Sequence, residues 1–136
     1  MKVITDNNKS LILKKLACIY YVCYKLVRKG WNCVPTPNTT IRTEIICFSQ
    51  DGKKRFTINL VVGNLIWYTS EKEDYADYLI VCSDYKLEQE NNLELYIMKI
   101  DEIRKIFDNF SKDVNPIKKE TYEKYKERWD LIEDGF

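Results

Sequence analysis

Two runs of alternating residues meet across an Asp-Gly pair in the middle of this chain, and nothing else in the sequence restricts its fold as tightly. From Thr40 to Phe48, Ile41, Thr43, Ile45 and Cys47 fall on one side of an extended strand, with Arg42, Glu44, Ile46 and Phe48 on the other. Arg55 to Val62 repeats the pattern, with Phe56, Ile58, Leu60 and Val62 set against Arg55, Thr57, Asn59 and Val61. Asp51-Gly52 between them accepts the positive φ that a tight type I′ turn requires. If residues 51 and 52 form the loop, the cross-strand partners are fixed. Glu44 then faces Asn59, Arg42 faces Val61 and Ile46 faces Thr57, with the Cα atoms of Glu44 and Asn59 within about 5.5 Å.

The rest of the chain surrounds this hairpin with recognisable elements. Residues 9–29 read as a helix, capped at its start by Ser10 or Asn8 and ended by Gly30 after Arg28 and Lys29, which suit the negative end of the dipole. Leu13, Leu16, Ala17, Tyr20, Tyr24 and Val27 share one face of it. Cys18, Ile19, Val22, Cys23 and Leu26 widen the apolar surface almost all the way round, so the helix is expected to be mostly buried. Trp31 to Val34 is a short strand stopped by Pro35 and Pro37. Asp77 to Ser83 is mostly apolar, as a strand buried on both faces should be, and Leu93 to Ile100 is a further strand. Asp101 starts a short helix through Phe110, Pro116 breaks the chain, and Lys118 to Ile132 reads as a last helix with Tyr122, Tyr125, Trp129 and Ile132 on one stripe. The order predicts a single α/β domain: a central mixed sheet of about four to five strands, a buried N-terminal helix and C-terminal helices. Residues 1–113 would form the core, and 114–136 an amphipathic helix packed on it or extending it.

Composition narrows the chemistry. The chain has 136 residues and no histidine, which removes Ser-His and Cys-His nucleophile pairs, a histidine general base and any histidine-based nuclease site. Catalysis would rest on carboxylates, lysines, tyrosines or a carboxylate-held divalent metal. The five cysteines, at 18, 23, 33, 47 and 82, form no C-x-x-C pair and lie mostly in apolar runs, which argues against a disulfide framework and a zinc site. Leu16 to Tyr24, nine residues, is the longest apolar run, well short of the roughly 20 that a membrane span needs. Lys14 and Lys15 interrupt the N-terminal apolar stretch, so no signal peptide is read there, and a cytoplasmic protein without membrane contact is expected. The formal charge of +1 hides an asymmetry: residues 1–62 carry 11 Lys/Arg against 3 Asp/Glu.

Helix, hairpin, central strand, strand, helix is an order that resembles the PD-(D/E)xK superfamily of nucleases, the restriction-endonuclease-like fold. The likeness covers roughly residues 9–110. It is carried by that order and by three segments: the Lys29-Gly30-Trp31 helix exit, the hairpin, and Tyr75-Ala76-Asp77-Tyr78-Leu79-Ile80-Val81 leading to Tyr96-Ile97-Met98. The resemblance implies an acid on the second strand and an acid-x-lysine on the third, holding one or two Mg²⁺ ions against a phosphate. Here those positions are Glu44, the neutral Asn59 and the inert Val61. Arg42 would lie beside Val61 and could lend a cation, and Asp77 could join if its strand lies next to the site. The site so implied, catalytic Glu44, Asn59 and Asp77 with Glu44 as metal ligand, is degenerate. For Glu44 a solvated structural pairing with Arg42 or Arg55 comes before the metal-ligand role, and a partner contact is a further alternative.

The remaining candidates are cationic. Lys53-Lys54-Arg55 follows the turn beside Arg42, and Lys14-Lys15 lies on the first helix; lysines and arginines at a strand-turn edge can follow a phosphate backbone. Three functions are compatible with these features. One is a non-catalytic or weakly active nuclease-fold protein that binds nucleic acid, DNA before RNA, or a nucleic-acid-processing protein, with no cofactor. The second is an active Mg²⁺-dependent endonuclease with a migrated site. The third is a protein-binding inhibitor or accessory factor. A homodimer is compatible with each, and the richness in Lys, Asn, Ile and Tyr is the texture of AT-rich viral or mobile-element genomes.

Overall fold

A strand with no wet face organises the sheet. In the computed structural model, which describes residues 2–36, 44–63, 76–83, 93–109 and 118–136, the elements run α1 (Lys2–Arg28), β1 (Asn32–Pro35), β2 (Ile45–Phe48), β3 (Arg55–Val62), β4 (Tyr78–Ser83), β5 (Glu94–Lys99), α2 (Ile100–Asn109) and α3 (Lys119–Tyr122), with 3₁₀ turns at Glu123–Tyr125 and Trp129–Leu131. The five strands lie in the order β1-β2-β3-β4-β5. All neighbours are antiparallel except β3 and β4, which run parallel. This is the mixed α/β sheet expected, with an N-terminal helix and C-terminal helices around it. Leu79 to Ser83 of β4 are all buried, as the apolar run predicted.

Each face of the sheet has its own core. On one side Cys18, Ile19, Val22 and Leu26 of α1 pack on Ile45, Cys47, Phe56, Ile58, Leu60, Ile80, Cys82, Leu95 and Ile97. On the other, Leu79, Val81, Tyr96 and Met98 meet Ile103 and Ile106 of α2 and Tyr122 and Tyr125 of the C-terminal segment. Two of the cysteines are cross-strand partners: Cys33 pairs with Cys47 between β1 and β2, and their sulfurs lie 3.8 Å apart as free thiols.

Helix α1 differs from expectation at both ends of the argument. It begins at Lys2, so Asn8 and Ser10 lie inside it and not at its start. Its burial is one-sided: the Cys18, Val22 and Leu26 face meets the sheet, whereas Leu13, Tyr20, Tyr24 and Val27 are each more than half exposed. The exit is as predicted. Gly30, at φ +96°, lets Trp31 N–H donate to Leu26 O (3.1 Å) and Gly30 N–H to Val27 O (3.0 Å), a Schellman closure that seats Trp31 in the core beside Leu26.

The hairpin keeps its predicted register with a different loop. Ile45 pairs with Ile58, Ile46 with Thr57, Cys47 with Phe56 and Phe48 with Arg55. Ser49 N–H donates to Lys54 O at 3.0 Å, so the connection is a four-residue loop over 50–53 in place of the two-residue turn. Each strand gives up one residue to the loop, and the pairs below are unchanged. The Asp51 carboxylate drives this, accepting from Ser49 Oγ (2.7 Å) and Lys53 N–H (3.0 Å), while Gly52 takes the left-handed conformation at φ +72°.

No single helix spans 118–132. Glu127, at φ +53°, ends the helical path, and its N–H donates to Leu95 O (2.8 Å) while Lys126 bridges Tyr96. Pairing with the free edge of β5 wins over helix propagation, because an edge strand leaves a row of backbone groups to satisfy. Most of the aromatic stripe is inside all the same: Tyr122 and Tyr125 are buried, and Trp129 is half-buried. Glu94 ties the segment down by accepting from Lys119 (3.2 Å), Lys126 (3.3 Å) and the Tyr96 hydroxyl (3.2 Å), and Lys119 above all holds its carboxyl below the usual range.

Several thiols and phenols in and beside these cores are held neutral, Tyr125 and Cys33 among them. Burial, and then the hydrogen bond it donates to Glu102, push the Tyr125 hydroxyl from 10.0 to about 12. The Cys23 hydrogen bond lowers the Cys33 thiol, but the Cys47 contact and burial outweigh it and raise Cys33 from 9.0 to about 12. Both groups are held neutral in the folded state, so their contribution is complete below the unfolded values and is lost as pH rises toward 12. The melting temperature is expected to be flat from neutrality to about pH 9 and then to fall. Circular dichroism melts of wild type and Tyr125→Phe check this: the variant should fall less steeply above about pH 10, and a decline starting below pH 9 would contradict the assignment.

Candidate nucleic-acid interface

The acid that the sequence offers as a metal ligand is used by the backbone. The β2–β3 ladder steps at its far end: Glu44 N–H donates to Ile58 O (2.9 Å), although Ile58 is already the partner of Ile45. Two residues of one strand therefore oppose one of the other, a β-bulge, which turns Glu44 toward α1. Its Oε2 accepts from Leu60 N–H at 2.7 Å and its Oε1 pairs with Lys15 Nζ at 2.9 Å. The carboxylate thus stands where a strand carbonyl would otherwise satisfy Leu60.

Asn59 alternates to the opposite side of the sheet, with Val61, which packs against the α2-side core. The expected opposition of Glu44 and Asn59 is therefore not formed. The bulge is its physical reason, since one extra residue changes which side a side chain takes. The Asn59 Oδ1 is buried and accepts no hydrogen bond among the described residues.

Asp77 is placed elsewhere again. Its Oδ2 accepts from Thr57 N–H (2.9 Å) and Thr57 Oγ1 (3.2 Å), stitching the start of β4 to β3, and its carbonyl accepts from Ile100 N–H (3.0 Å). Thr57 and Leu60, the anchor points of Asp77 and Glu44, are three residues apart on β3, about 10 Å along the strand. The structure therefore does not bring Glu44, Asn59 and Asp77 together. Mg²⁺ demands a near-octahedral set of oxygens with carboxylates among them, and these three residues do not fit it. Among the described residues no group of three or more Cys, Asp or Glu side chains is placed to hold a metal ion. Arg42 lies outside the described residues.

The cations do converge. Lys53, Lys54 and Arg55, at the hairpin end, line an open cleft of about 610 Å³ together with Trp31, Phe56, Tyr78, Ile132 and Asp77, just before β4. Lys99 and Asp101 enter from the end of β5 and the start of α2, and Glu133 from the C-terminal segment. Lys54 Nζ reaches Glu133 Oε1 at 3.3 Å, an exposed pair of the kind worth little in water. Trp31 and Phe56 meet edge to face at 4.6 Å, and Phe56 and Tyr78 at 5.1 Å, giving the cleft an aromatic floor. Lys14 and Lys15, on α1, do not line it: Lys15 is held by Glu44. The sequence reading missed Lys99. Its signal was the register of β5 against β4, which sets Lys99 opposite Tyr78 and so at the hairpin end of the sheet.

Comparison with known proteins bears on the fold. No family model matches the chain, and no curated protein matches it. Among solved structures, that of a bacterial homing endonuclease, I-Ssp6803I, is similar over 90% of this chain and 93% of its own, with a TM-score of 0.57 and 12% sequence identity. At that identity the likeness shows the fold alone, a nuclease-like mixed α/β fold. No helix among the described residues is long and apolar enough to cross a membrane.

The role given to Glu44 has a measurable consequence. Glu44→Ala leaves the half-buried Leu60 N–H and Lys15 without their acceptor and is expected to lower stability by about 1–3 kcal/mol in urea denaturation. Millimolar MgCl₂ should leave the melting temperature of the wild type unchanged, because a ligand stabilises only what it binds. A saturable rise in wild type that disappears in Glu44→Ala would instead make Glu44 a metal ligand.

Proposed function

We propose that this chain is a nuclease-fold protein that binds nucleic acid, duplex DNA before RNA, along the cleft at the hairpin end, and that it lacks an efficient hydrolytic centre. One observation carries the reading: Lys53, Lys54 and Arg55 from the hairpin and Lys99 from the other half of the sheet face a single open cleft. Cations brought together from two distant stretches of sequence supply what a phosphate backbone requires, and such contacts give most of the sequence-independent affinity. Two of the acids at the cleft need not oppose it. Asp77 already accepts from Thr57, and the Lys54–Glu133 pair is exposed enough for a phosphate to replace Glu133. Assignment to the PD-(D/E)xK superfamily with a degenerate site is part of the same proposal. The order of elements supports it, and so does the engagement of Glu44 by Leu60 and Lys15.

The second reading, an active divalent-metal endonuclease, is favoured by one feature, the buried Asn59 Oδ1, which has no partner among the described residues. That atom is a neutral oxygen, and Glu44 is turned away from it. A cleavage assay with MgCl₂ on duplex and single-stranded DNA and RNA, with binding followed in the same tubes, separates the two readings. Binding without cutting supports the first, and cutting supports the second.

The binding prediction is quantitative. Each cation removed from a phosphate contact should reduce the slope of log K against log salt by about 0.9, and it should weaken all sequences alike. Lys53→Ala with Arg55→Ala, and separately Lys99→Ala, should each flatten the salt dependence measured by fluorescence anisotropy with short duplexes. Unchanged slopes in both variants would take nucleic acid away from this cleft.

A further inference from the structure

Helix α1 is apolar on two opposite faces, and the domain covers one of them. Cys18, Val22 and Leu26 are fully buried against the sheet. Half a turn round, Leu13, Tyr20 and Val27 recur every seven residues with Tyr24 beside them, and they are 54%, 64%, 57% and 54% exposed. Leu16 and Ala17, both half-buried, lie between Leu13 and Tyr20 along the helix axis and flank the stripe on either side. The stripe is about 21 Å long, enough to seat four turns of a second helix. A helix that is apolar on opposite faces is normally enclosed, and among the described residues nothing covers the outer face.

The charge around the stripe specifies that cover. Residues 7–43 contain seven Lys/Arg and no Asp or Glu. Lys25 and Arg28 lie along one flank, and neither is paired with a carboxylate among the described residues. They lean on the tyrosines instead, with Lys25 Nζ 5.7 Å from the Tyr21 ring centre and the Arg28 guanidinium 5.7 Å from that of Tyr24. Arg28 also donates to the Tyr24 hydroxyl at 3.0 Å. A second copy of α1 would bring the cations of residues 7–28 against one another with no acid in that stretch on either side, which disfavours self-pairing. A phosphate backbone would need cations along the middle of the surface, where this one has Leu13, Tyr20 and Val27.

We propose that the outward face of α1 is a docking surface for an acidic amphipathic helix of a protein partner, laid along Leu13, Tyr20, Tyr24 and Val27 with its carboxylates toward Lys25 and Arg28. Recognition follows the helix-in-groove pattern, with apolar anchors at helical spacing giving affinity and flanking charge giving selectivity. This surface is independent of the hairpin cleft. It gives the protein a partner whether or not that cleft binds nucleic acid.

The test uses three synthetic helical peptides: one with leucine at heptad positions a and d and glutamate flanks, one with the same leucines and lysine flanks, and one with glutamate flanks and the leucines replaced by serine. Fluorescence anisotropy with the full chain should show the first binding at least about tenfold tighter than either of the others and weakening with salt. Tyr20→Glu with Val27→Glu should abolish that preference without lowering the melting temperature, because both residues point away from the core. Lys25→Glu with Arg28→Glu should reverse it toward the lysine peptide, whereas Lys53→Ala should leave it unchanged. Equal binding of the three peptides overturns the proposal. So does a wild-type dimer in sedimentation that Tyr20→Glu with Val27→Glu turns into a monomer, since a second copy would then be the cover. Binding to phosphatidylserine vesicles that the same variant abolishes overturns it in favour of a lipid surface.

Discussion

Everything in this domain leans on the double burial of β4. A strand covered on both faces cannot stand at the edge of a sheet, so it needs hydrogen-bonded neighbours on each side and a packed layer above and below. β3 and β5 supply the neighbours, and α1 and α2 with the C-terminal segment supply the layers. The cleft follows from this arrangement. It opens where β3 and β4 begin and β5 ends, so residues distant in sequence, such as Arg55 and Lys99, are delivered to one rim.

The fate of Glu44 shows how a one-residue bulge can commit a strand acid to the backbone and to a neighbouring helix. A carboxylate that accepts from a backbone N–H and from a lysine is stabilised as an anion and is geometrically committed. Freeing it to coordinate a cation would cost both bonds and leave Leu60 unsatisfied. Mg²⁺ is itself reluctant to shed water and would gain one carboxylate in return.

Much of the fold was legible, and its errors share a cause. The strands were readable because alternation and continuous apolar character report local burial, and the register because Asp51 and Gly52 localise the turn. What failed was competition between backbone partners. Lys118 to Ile132 has a helical stripe, yet the unsatisfied edge of β5 outbid helix formation at Glu127. Glu44 has strand parity with Ile46, yet a one-residue bulge moved it to the other face. In α1 the periodicity found apolar residues all round but could not say which side the sheet would take. Of the site residues, the Lys53-Lys54-Arg55 cluster was visible as a local run, whereas Lys99 required knowledge of how β5 lies against β4.

The parallel seam between β3 and β4 has a consequence for how the chain reaches this state. β1, β2 and β3 form a meander closed by short-range pairings, and β4 and β5 form a second antiparallel unit; the two halves meet along a ladder from Ile58–Tyr78 to Val62–Cys82. Partners across that ladder are 20 residues apart in sequence. Closing it therefore costs more chain entropy than either antiparallel unit does near its loop. Asp77 sits at the first rung of this seam, bonded to Thr57 through both its side chain and its backbone N–H. A residue that a nuclease reading would enlist for chemistry is thus placed to set the alignment of the two antiparallel halves across their seam.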